Sequence, residues 1–370
     1  MKQTILSPDN NYQSLTEFLK ENRINKVFLV CGKSFFKLKI STYFQQMLEN
    51  GDISIFSDFE SNPSYESVVK GVQYFKESGS DAIIAVGGGS AIDVAKCIKL
   101  FSNMENDSCY LKQEIISNEI PFIAVPTTAG TGSEATRFAV IYYNGEKQSI
   151  SDESLIPSAI ILDPELLFSL PSYQRKVTMM DALCHAIESY WSIHSTEMSK
   201  QYSASAIDLI LEYENEYLDN HIVGNKKMLE AAYQAGKAIN ITQTTAGHAM
   251  CYKLTTLYHI AHGHAVALCV SELWEYMLEH IELCCDSRGT KYFKHMFLEL
   301  AQIMGCASAK EAVGLFKNIV KRLQLASPSG ADEQQIKILT KSVNPVRLKN
   351  HPIILQENEI EKLYRKILLK

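Results

Sequence analysis

No C-x-x-C pair occurs in the 370 residues, although nine cysteines are scattered from Cys31 to Cys306. An odd, unpaired set of that kind suits neither a disulfide framework nor a zinc ribbon, so reduced thiols packed in the interior are expected. A basic excess is missing as well: 36 Lys and Arg against 42 Asp and Glu give a formal net charge of -6. Phosphate neutralisation needs clustered cations that outnumber the acids, so no nucleic-acid partner is expected. Nowhere do about 18 apolar residues follow one another as a membrane span requires, and Met1 to Asn11 holds no basic stretch leading into an apolar run. The expectation is a cytoplasmic protein with no membrane partner. Familiar fingerprints are absent too. There is no G-x-S-x-G elbow, no intact G-x-G-x-x-G follows a strand, and Gly32-Lys33-Ser34 fails as a Walker A loop because Val27 stands where its first glycine belongs.

What is present is ordinary globular material, 46% hydrophobic and 21% charged, enough for a sizeable core and, at this length, two domains. In the first half, short apolar runs at Lys26 to Cys31, Ile53 to Phe56, Asp81 to Val86, Phe122 to Val125 and Ala159 to Leu162 alternate with amphipathic stretches such as Tyr65 to Glu77 and Ala91 to Leu100. That alternation predicts a mostly parallel, Rossmann-like sheet covered on both faces. Beyond Asp163-Pro164 strand signals nearly vanish, and helical patterns run through Val177 to Ser192, Lys200 to Tyr217, Lys226 to Ile239, Val270 to Cys285, Tyr292 to Met304 and Lys310 to Leu323. An α/β domain over 1–164 and an all-helical domain over 165–370 follow, with a catalytic cleft expected between them. Ala326 to Asp332, rich in small and turn-forming residues, reads as a loop.

Two strand-to-helix turns are candidates for holding phosphates. Asp81 to Val86 runs into Gly87-Gly88-Gly89-Ser90 and then a helical pattern; glycines let a backbone approach a pyrophosphate, and a helix amino terminus offers oriented N–H groups. Any doubly wound domain also needs tight turns, so this loop alone decides little. The second, Thr127-Thr128-Ala129-Gly130-Thr131-Gly132-Ser133 after Phe122 to Pro126, is too dense in hydroxyls for a core and suits ribose and phosphates.

Asp181 and His185 lie four residues apart in a helical stretch and so share a face. Such a pair is more often a hydrogen-bonded face than a ligand set. His248 and His262 are the candidate partners; on one unbroken helix their 14-residue separation would be about 21 Å. A break within Lys253 to His259, before Gly263, would fold the second histidine back toward the first. One carboxylate and three imidazoles suit Fe²⁺ or Zn²⁺, which can polarise a carbonyl or lower the pKa of an alcohol. The remaining histidines, His194, His221, His280, His295 and His351 among them, read as surface or core residues.

The ordered segments GGGSAIDVAK (87–96), PTTAGTGSEAT (126–136), DPELLFSLP (163–171), DALCHAIESY (181–190) and AHGHAVAL (261–268) together resemble the iron-containing (group III) alcohol dehydrogenase family. The similarity spans nearly the whole chain, ending in NPVRLKNHPIIL (344–355). It implies the dehydroquinate-synthase-like fold of that family, a homodimer, and an enzyme moving a hydride between NAD(H) or NADP(H) and a small alcohol or aldehyde. It also implies a divalent metal on Asp181, His185, His248 and His262, through which these residues act in catalysis. Cofactor contacts are implied for Asn62, Gly88, Gly89, Ser90, Thr127, Thr128, Thr131 and Lys147. Gly32 stands where some NAD-preferring relatives carry an Asp that would repel a 2′-phosphate, so NADP(H) is allowed.

The chain departs from the commonest family pattern at Tyr252, where many relatives have a further His, and at Lys253-Leu254-Thr255, where they have Pro-Leu-Gly. Arg137, Lys253 and His264 lie near the motifs and are candidates for holding a substrate anion; the alternative is that Arg137 pairs with a carboxylate and Lys253 caps a helix. SYWSIHST (189–196) and GHAMCYKLT (247–255) resemble the branch that reduces phosphonoacetaldehyde to 2-hydroxyethylphosphonate, which would place the chain in phosphonate metabolism. A general butanol-type dehydrogenase is the alternative within the family. An NAD-using lyase resembling dehydroquinate synthase is the alternative outside it, and a metal- or nucleotide-binding sensor has least to recommend it.

Overall fold

The computed structural model describes residues 3–9, 11–105 and 108–369. Among the described residues eight strands come in chain order: β1 Thr4–Leu6, β2 Val27–Cys31, β3 Ile53–Phe56, β4 Ala82–Gly87, β5 Phe122–Pro126, β6 Phe138–Tyr143, β7 Glu146–Ser151 and β8 Ala159–Ile161. Six of them form a sheet in the order β1-β8-β5-β4-β2-β3, and every adjacent pair is parallel. A parallel sheet must be covered on both faces, which is why β2, β4, β5 and β8 are apolar runs buried at every residue.

Alternate residues serve the two faces. Val27, Leu29, Ile84, Val86, Ile123 and Val125 share a core with Leu15 and Leu19 of α1 (Gln13–Glu21) and Phe44 of α2 (Ser41–Asn50). Phe28, on the opposite face, meets the ring of Phe75 in α3 (Tyr65–Ser78) at 5.3 Å between centroids. The fourth helix, α4 (Gly89–Phe101), starts directly behind β4 and is buried at Ala91, Ile92 and from Val94 to Phe101.

Strand order reverses at β2: β3 lies on one side of it, whereas β4, β5 and β8 continue on the other. In such sheets ligands bind beyond the carboxyl ends of the strands at the reversal. The register aligns those ends, Cys31 opposite Val86 and Gly87 opposite Pro126, so Gly32, Gly88 and Thr127 all follow at one edge.

The antiparallel pair β6–β7 forms a separate two-stranded sheet. Its signal is Asn144-Gly145, both at positive φ (52° and 77°), the dipeptide that a tight hairpin turn demands. The three-residue edge strand β1 is too short to carry an alternating pattern.

The chain divides into two compact units, Met1–Leu170 with Asn220–Leu229, and Pro171–Asp219 with Glu230–Lys370. The first unit's leading stretch thus ends at Leu170, and a ten-residue segment of the later sequence returns to that unit. Helices follow throughout: α5 Ser172–Trp191, α6 Glu197–Leu218, α7 Ile222–Thr242, α8 Ala246–Tyr258, α9 His262–Glu279, α10 Gly289–Ile303, α11 Ala309–Arg322, α12 Glu333–Ser342, α13 Pro345–Leu348 and α14 Glu357–Leu368. The predicted helix at Val270 to Cys285 therefore starts at His262 and stops at Glu279. Among the described residues no helix is long and apolar enough to cross a membrane.

α5 is central to the second unit, packing on α6, α9 and α10. From Met179 to Trp191 every residue is buried, including Asp181, His185 and Glu188. A helix buried on all sides has no solvated face on which to leave a charge. Its ionisable side chains must find partners in neighbouring helices.

Candidate metal centre

α5 places Asp181, His185 and Glu188 at i, i+4 and i+7, one stripe along the helix. Facing it are His248 in the first turn of α8 and His262, the first residue of α9. The chain between the two histidines breaks: α8 ends at Tyr258, His259 takes the left-handed conformation (φ 53°), and α9 begins two residues after Ile260. α8 and α9 pack on each other, and α5 and α9 lie side by side, so residues 14 apart in sequence meet in space.

Asp181, His248 and His262 each offer a ligand atom, and the three atoms lie within 4.8 Å of one another. Asp181 Oδ1 stands 3.5 Å from His248 Nε2 and 3.7 Å from His262 Nε2. Both Asp181 Oδ1 and His248 Nε2 are buried without a hydrogen-bond partner among the described residues, a costly condition that a cation sharing them would relieve. Bonds of about 2.0–2.2 Å from one ion would span the observed separations. The donor set therefore fits a divalent metal. His185 is not in this group of three; its ring stacks on that of His248, centroids 4.4 Å apart and planes inclined by 13°.

Burial opposes ionisation of Asp181, but the nearby imidazoles of His185, His262 and His248 hold its carboxyl below the usual carboxylate range. For His248, burial alone would favour the neutral ring, yet Glu188 and Asp181 together push it up to about 10. The field that favours a proton there favours a cation for the same reason. Close packing brings the groups together: a Cβ on Gly263 would lie 1.9 Å from the Val177 carbonyl oxygen and 3.0 Å from Asp181 Cβ. Only glycine lets the first turn of α9 approach α5 this nearly.

Glu188 is a site residue that the sequence motifs do not single out, since it reads there as part of an amphipathic run. It is fully buried, and Oε1 accepts from Thr245 Oγ1 (2.5 Å) and Gly247 N (2.8 Å), while Oε2 contacts His248 Nδ1. A signal exists: an acid three residues after His185 and seven after Asp181 continues their stripe.

The two glycine- and threonine-rich loops meet at the carboxyl edge of the first unit's sheet. Gly88 caps α4, Thr127 N donates to Gly87 O at 3.0 Å, and a Cβ on Gly88 or Gly89 would meet Thr128 at 3.2 Å or Thr131 at 2.8 Å. The glycines thus admit the second loop as well as leaving backbone N–H groups open at a helix amino terminus. α4 holds that loop from beneath: Lys96 Nζ donates to Ser133 O, Thr136 O and Phe138 O at 2.6 to 2.7 Å, and Asp93 accepts from Ser133 Oγ and Val140 N. Ser90 begins α4 beside Gly89, Asn62 follows β3 at φ 60°, and Lys147 sits on β7 opposite Tyr142, where its charge reaches Asp93. Around Gly32 a Cβ would meet nothing within 4 Å.

Comparison with known proteins decides the family. A family model for iron-containing alcohol dehydrogenase matches residues 3–164, and one for the carboxy-terminal part of the Fe-containing alcohol dehydrogenase family matches residues 176–368. The chain belongs to the iron-containing alcohol dehydrogenase family. It is 31% identical over 332 residues to aldehyde-alcohol dehydrogenase 2 of Entamoeba histolytica, covering 84% of this chain but only 38% of that longer protein. It is 29% identical to the phosphonoacetaldehyde reductase of Streptomyces viridochromogenes over 80% of this chain and 79% of the relative. Among solved structures, the sulfoacetaldehyde reductase of Bifidobacterium kashiwanohense in complex with NAD+ matches with a TM-score of 0.85 and 25% identity over 99% of this chain and 96% of that one. Membership makes the chain an oxidoreductase of the alcohol dehydrogenase and aldehyde reductase class.

As a member of the iron-containing alcohol dehydrogenase family the chain carries Tyr252 beside the ligand group, its ring stacked on His262 at 5.8 Å. The three residues expected to hold an anion fare differently. His264 is no free cation: Nδ1 shares a hydrogen bond with Tyr173 Oη, Nε2 with Ala326 O, each 3.0 Å, and burial lowers its pKa. This corrects its assignment as a cationic anchor. Arg137, in the first unit, pairs with Glu153 at 2.7 Å. Lys253, in the second, is exposed and makes no ion pair among the described residues.

Proposed function

We propose that the chain is a metal-dependent, NAD(P)H-linked reductase of a small aldehyde bearing a terminal oxyanion, with reduction of phosphonoacetaldehyde to 2-hydroxyethylphosphonate as the best-supported reaction. The observation that carries the metal-dependent redox assignment is the convergence of Asp181, His248 and His262 from three helices, with Asp181 Oδ1 and His248 Nε2 buried and without a hydrogen bond among the described residues. His185, one turn beyond Asp181 and stacked on His248, is the fourth donor. A bound Fe²⁺ or Zn²⁺ would supply Lewis-acid polarisation of the substrate oxygen. Gly88, Gly89, Ser90, Thr127, Thr128 and Thr131 are the residues to hold the dinucleotide phosphates and ribose, with Gly32, Asn62 and Lys147 around them. Gly32 puts no negative charge where a 2′-phosphate would lie, so NADPH and NADH both enter the assay.

The substrate class rests on likeness. The Streptomyces relative and the Bifidobacterium neighbour are named for small aldehydes ending in a phosphonate or a sulfonate. Lys253 is the candidate anchor that remains available, since Arg137 and His264 are engaged. A homodimer in the cytoplasm is part of the same reading.

The test is turnover by purified, metal-analysed protein with phosphonoacetaldehyde and with butyraldehyde, using NADH and NADPH in turn. A site built for the anion loses most of its kcat/KM on the uncharged aldehyde. Equal or better turnover of butyraldehyde would assign a general short-chain dehydrogenase instead. Activity that survives complete chelation of metal would remove the roles given to Asp181 and the histidines.

A further inference from the structure

We infer that Glu188 is a positioning residue which fixes the tautomer of His248, so that Nε2 presents a lone pair to the group formed with Asp181 and His262. The inference deepens the metal assignment and rests on it.

The hydrogen-bond chain behind His248 leaves little freedom. Trp191 Nε1 can only donate, and it donates to Thr245 Oγ1 at 2.9 Å. The threonine hydroxyl therefore turns its own proton to Glu188 Oε1, 2.5 Å away. The same carboxylate oxygen receives the backbone N–H of Gly247 at 2.8 Å. Oε1 thus faces two obligate donors, and the second oxygen, Oε2, is left for His248 Nδ1.

An ionised carboxylate only accepts, so the proton of that last contact belongs to Nδ1, and Nε2, 3.5 Å from Asp181 Oδ1, is the ring nitrogen left to give up its proton to a cation. Nothing else reaches Nε2 among the described residues. The arrangement has a further consequence at Gly247, where a Cβ would lie 3.0 Å from Glu188 Oε1 and 2.6 Å from Val270 Cγ2. Glycine there lets the first turn of α8 close onto the carboxylate.

Glu188→Gln preserves the shape of the side chain but replaces one acceptor with a donor. Its amide oxygen must take the Oε1 place, because Gly247 N–H and the threonine hydroxyl would clash with an NH₂. The NH₂ then faces Nδ1, forcing the proton of a neutral His248 onto Nε2, where it blocks a cation. A residue serving packing alone would tolerate the change.

The experiment uses the full chain labelled with ¹⁵N histidine. Long-range ¹H–¹⁵N spectra of metal-free and Zn²⁺-loaded protein identify the protonated ring nitrogen of His248, and competition with a chelator gives the Zn²⁺ dissociation constant. The wild type is expected to show a proton on Nδ1 in both states, with Nε2 free of one once Zn²⁺ is bound. Glu188→Gln is expected to move it to Nε2 and weaken Zn²⁺ binding about 10–100-fold, with the thermal midpoint of the metal-free protein near that of the wild type. Glu188→Asp, which keeps an acceptor-only group, should recover part of the affinity and keep the proton on Nδ1. A wild-type His248 without a proton on Nδ1, or Zn²⁺ bound equally by wild type and Glu188→Gln, overturns the role of Glu188 alone. A wild type that takes up no Zn²⁺ overturns the metal assignment and the inference with it.

Discussion

His351 is an imidazole held where it has no polar company. It is 1% exposed, its ring stands edge-on to Trp191, and neither ring nitrogen has a hydrogen-bond partner among the described residues. Burial depresses its pKa to about 3, the charge of Glu188 recovering only part of the shift. In the unfolded chain the ring takes a proton below about 6.5. Between those values the unfolded state binds the extra proton, so the contribution of a neutral His351 is fully present above pH 6.5 and is lost as pH falls toward 3. Relative to a His351→Leu variant, the wild type should lose about 1 kcal/mol of unfolding free energy between pH 6 and pH 5, read from urea titrations at both. Parallel pH dependence in the two proteins would sink the assignment. At this scale the sequence is readable where chemistry is unusual for its setting: Asp181 and His185 share one helical face in plain view, and His351 falls among the surface or core residues as expected. Glu188 does not stand out, because an acid in an amphipathic run ordinarily faces water, and only the burial of α5 on every side shows otherwise.

Helix contacts decide whether those side chains meet. The first turn of α9 approaches α5 so closely that Gly263→Ala would set a methyl 1.9 Å from the Val177 carbonyl oxygen, backbone against backbone, which cannot give way by a rotamer change. The turn must move, carrying His262 away from Asp181 across a gap that is now 3.7 Å. Zn²⁺ affinity is expected to fall at least about tenfold, on the scale of losing a well-placed supporting contact at a metal site. Gly314 supplies the control: it is an exposed residue of α11, and a methyl added there would meet nothing within 4 Å. Gly314→Ala should leave Zn²⁺ binding unchanged and raise stability by about 0.4–1 kcal/mol. If both variants bind Zn²⁺ like the wild type, the close approach of α9 to α5 does not set the ligand geometry. Long periodic helices and buried parallel strands are legible as elements, since their patterns persist over many residues. The break that separates α8 from α9 is legible only as a requirement of bringing His248 to His262, because no proline marks it and His259 adopts the left-handed conformation without being glycine.

At the scale of the molecule, the return of Asn220–Leu229 to the first unit has no counterpart in the sequence pattern, which changes texture once, near residue 164. The helical pattern of α7 runs on without interruption from Ile222 to Thr242, so nothing local tells its first eight residues from the rest. Tertiary contacts do: Asn220 Nδ2 donates to Phe168 O and Asn225 Nδ2 to Pro164 O, while Met228 and Leu229 are fully buried. One continuous helix therefore has residues in both units, and unfolding one end must fray the other, since helix formation is cooperative along its length. The two tryptophans, Trp191 and Trp274, pack edge to face at 5.6 Å and both belong to the second unit, so their fluorescence reports that unit's unfolding. The proposed dinucleotide loops belong to the first. NAD+ at 100 times its dissociation constant stabilises the state that binds it by about 2.7 kcal/mol, and with the units coupled through α7 the tryptophan transition in urea should move to higher denaturant accordingly. A transition that stays in place while NAD+ remains bound would mean that the shared helix melts piecewise and the units lose structure independently.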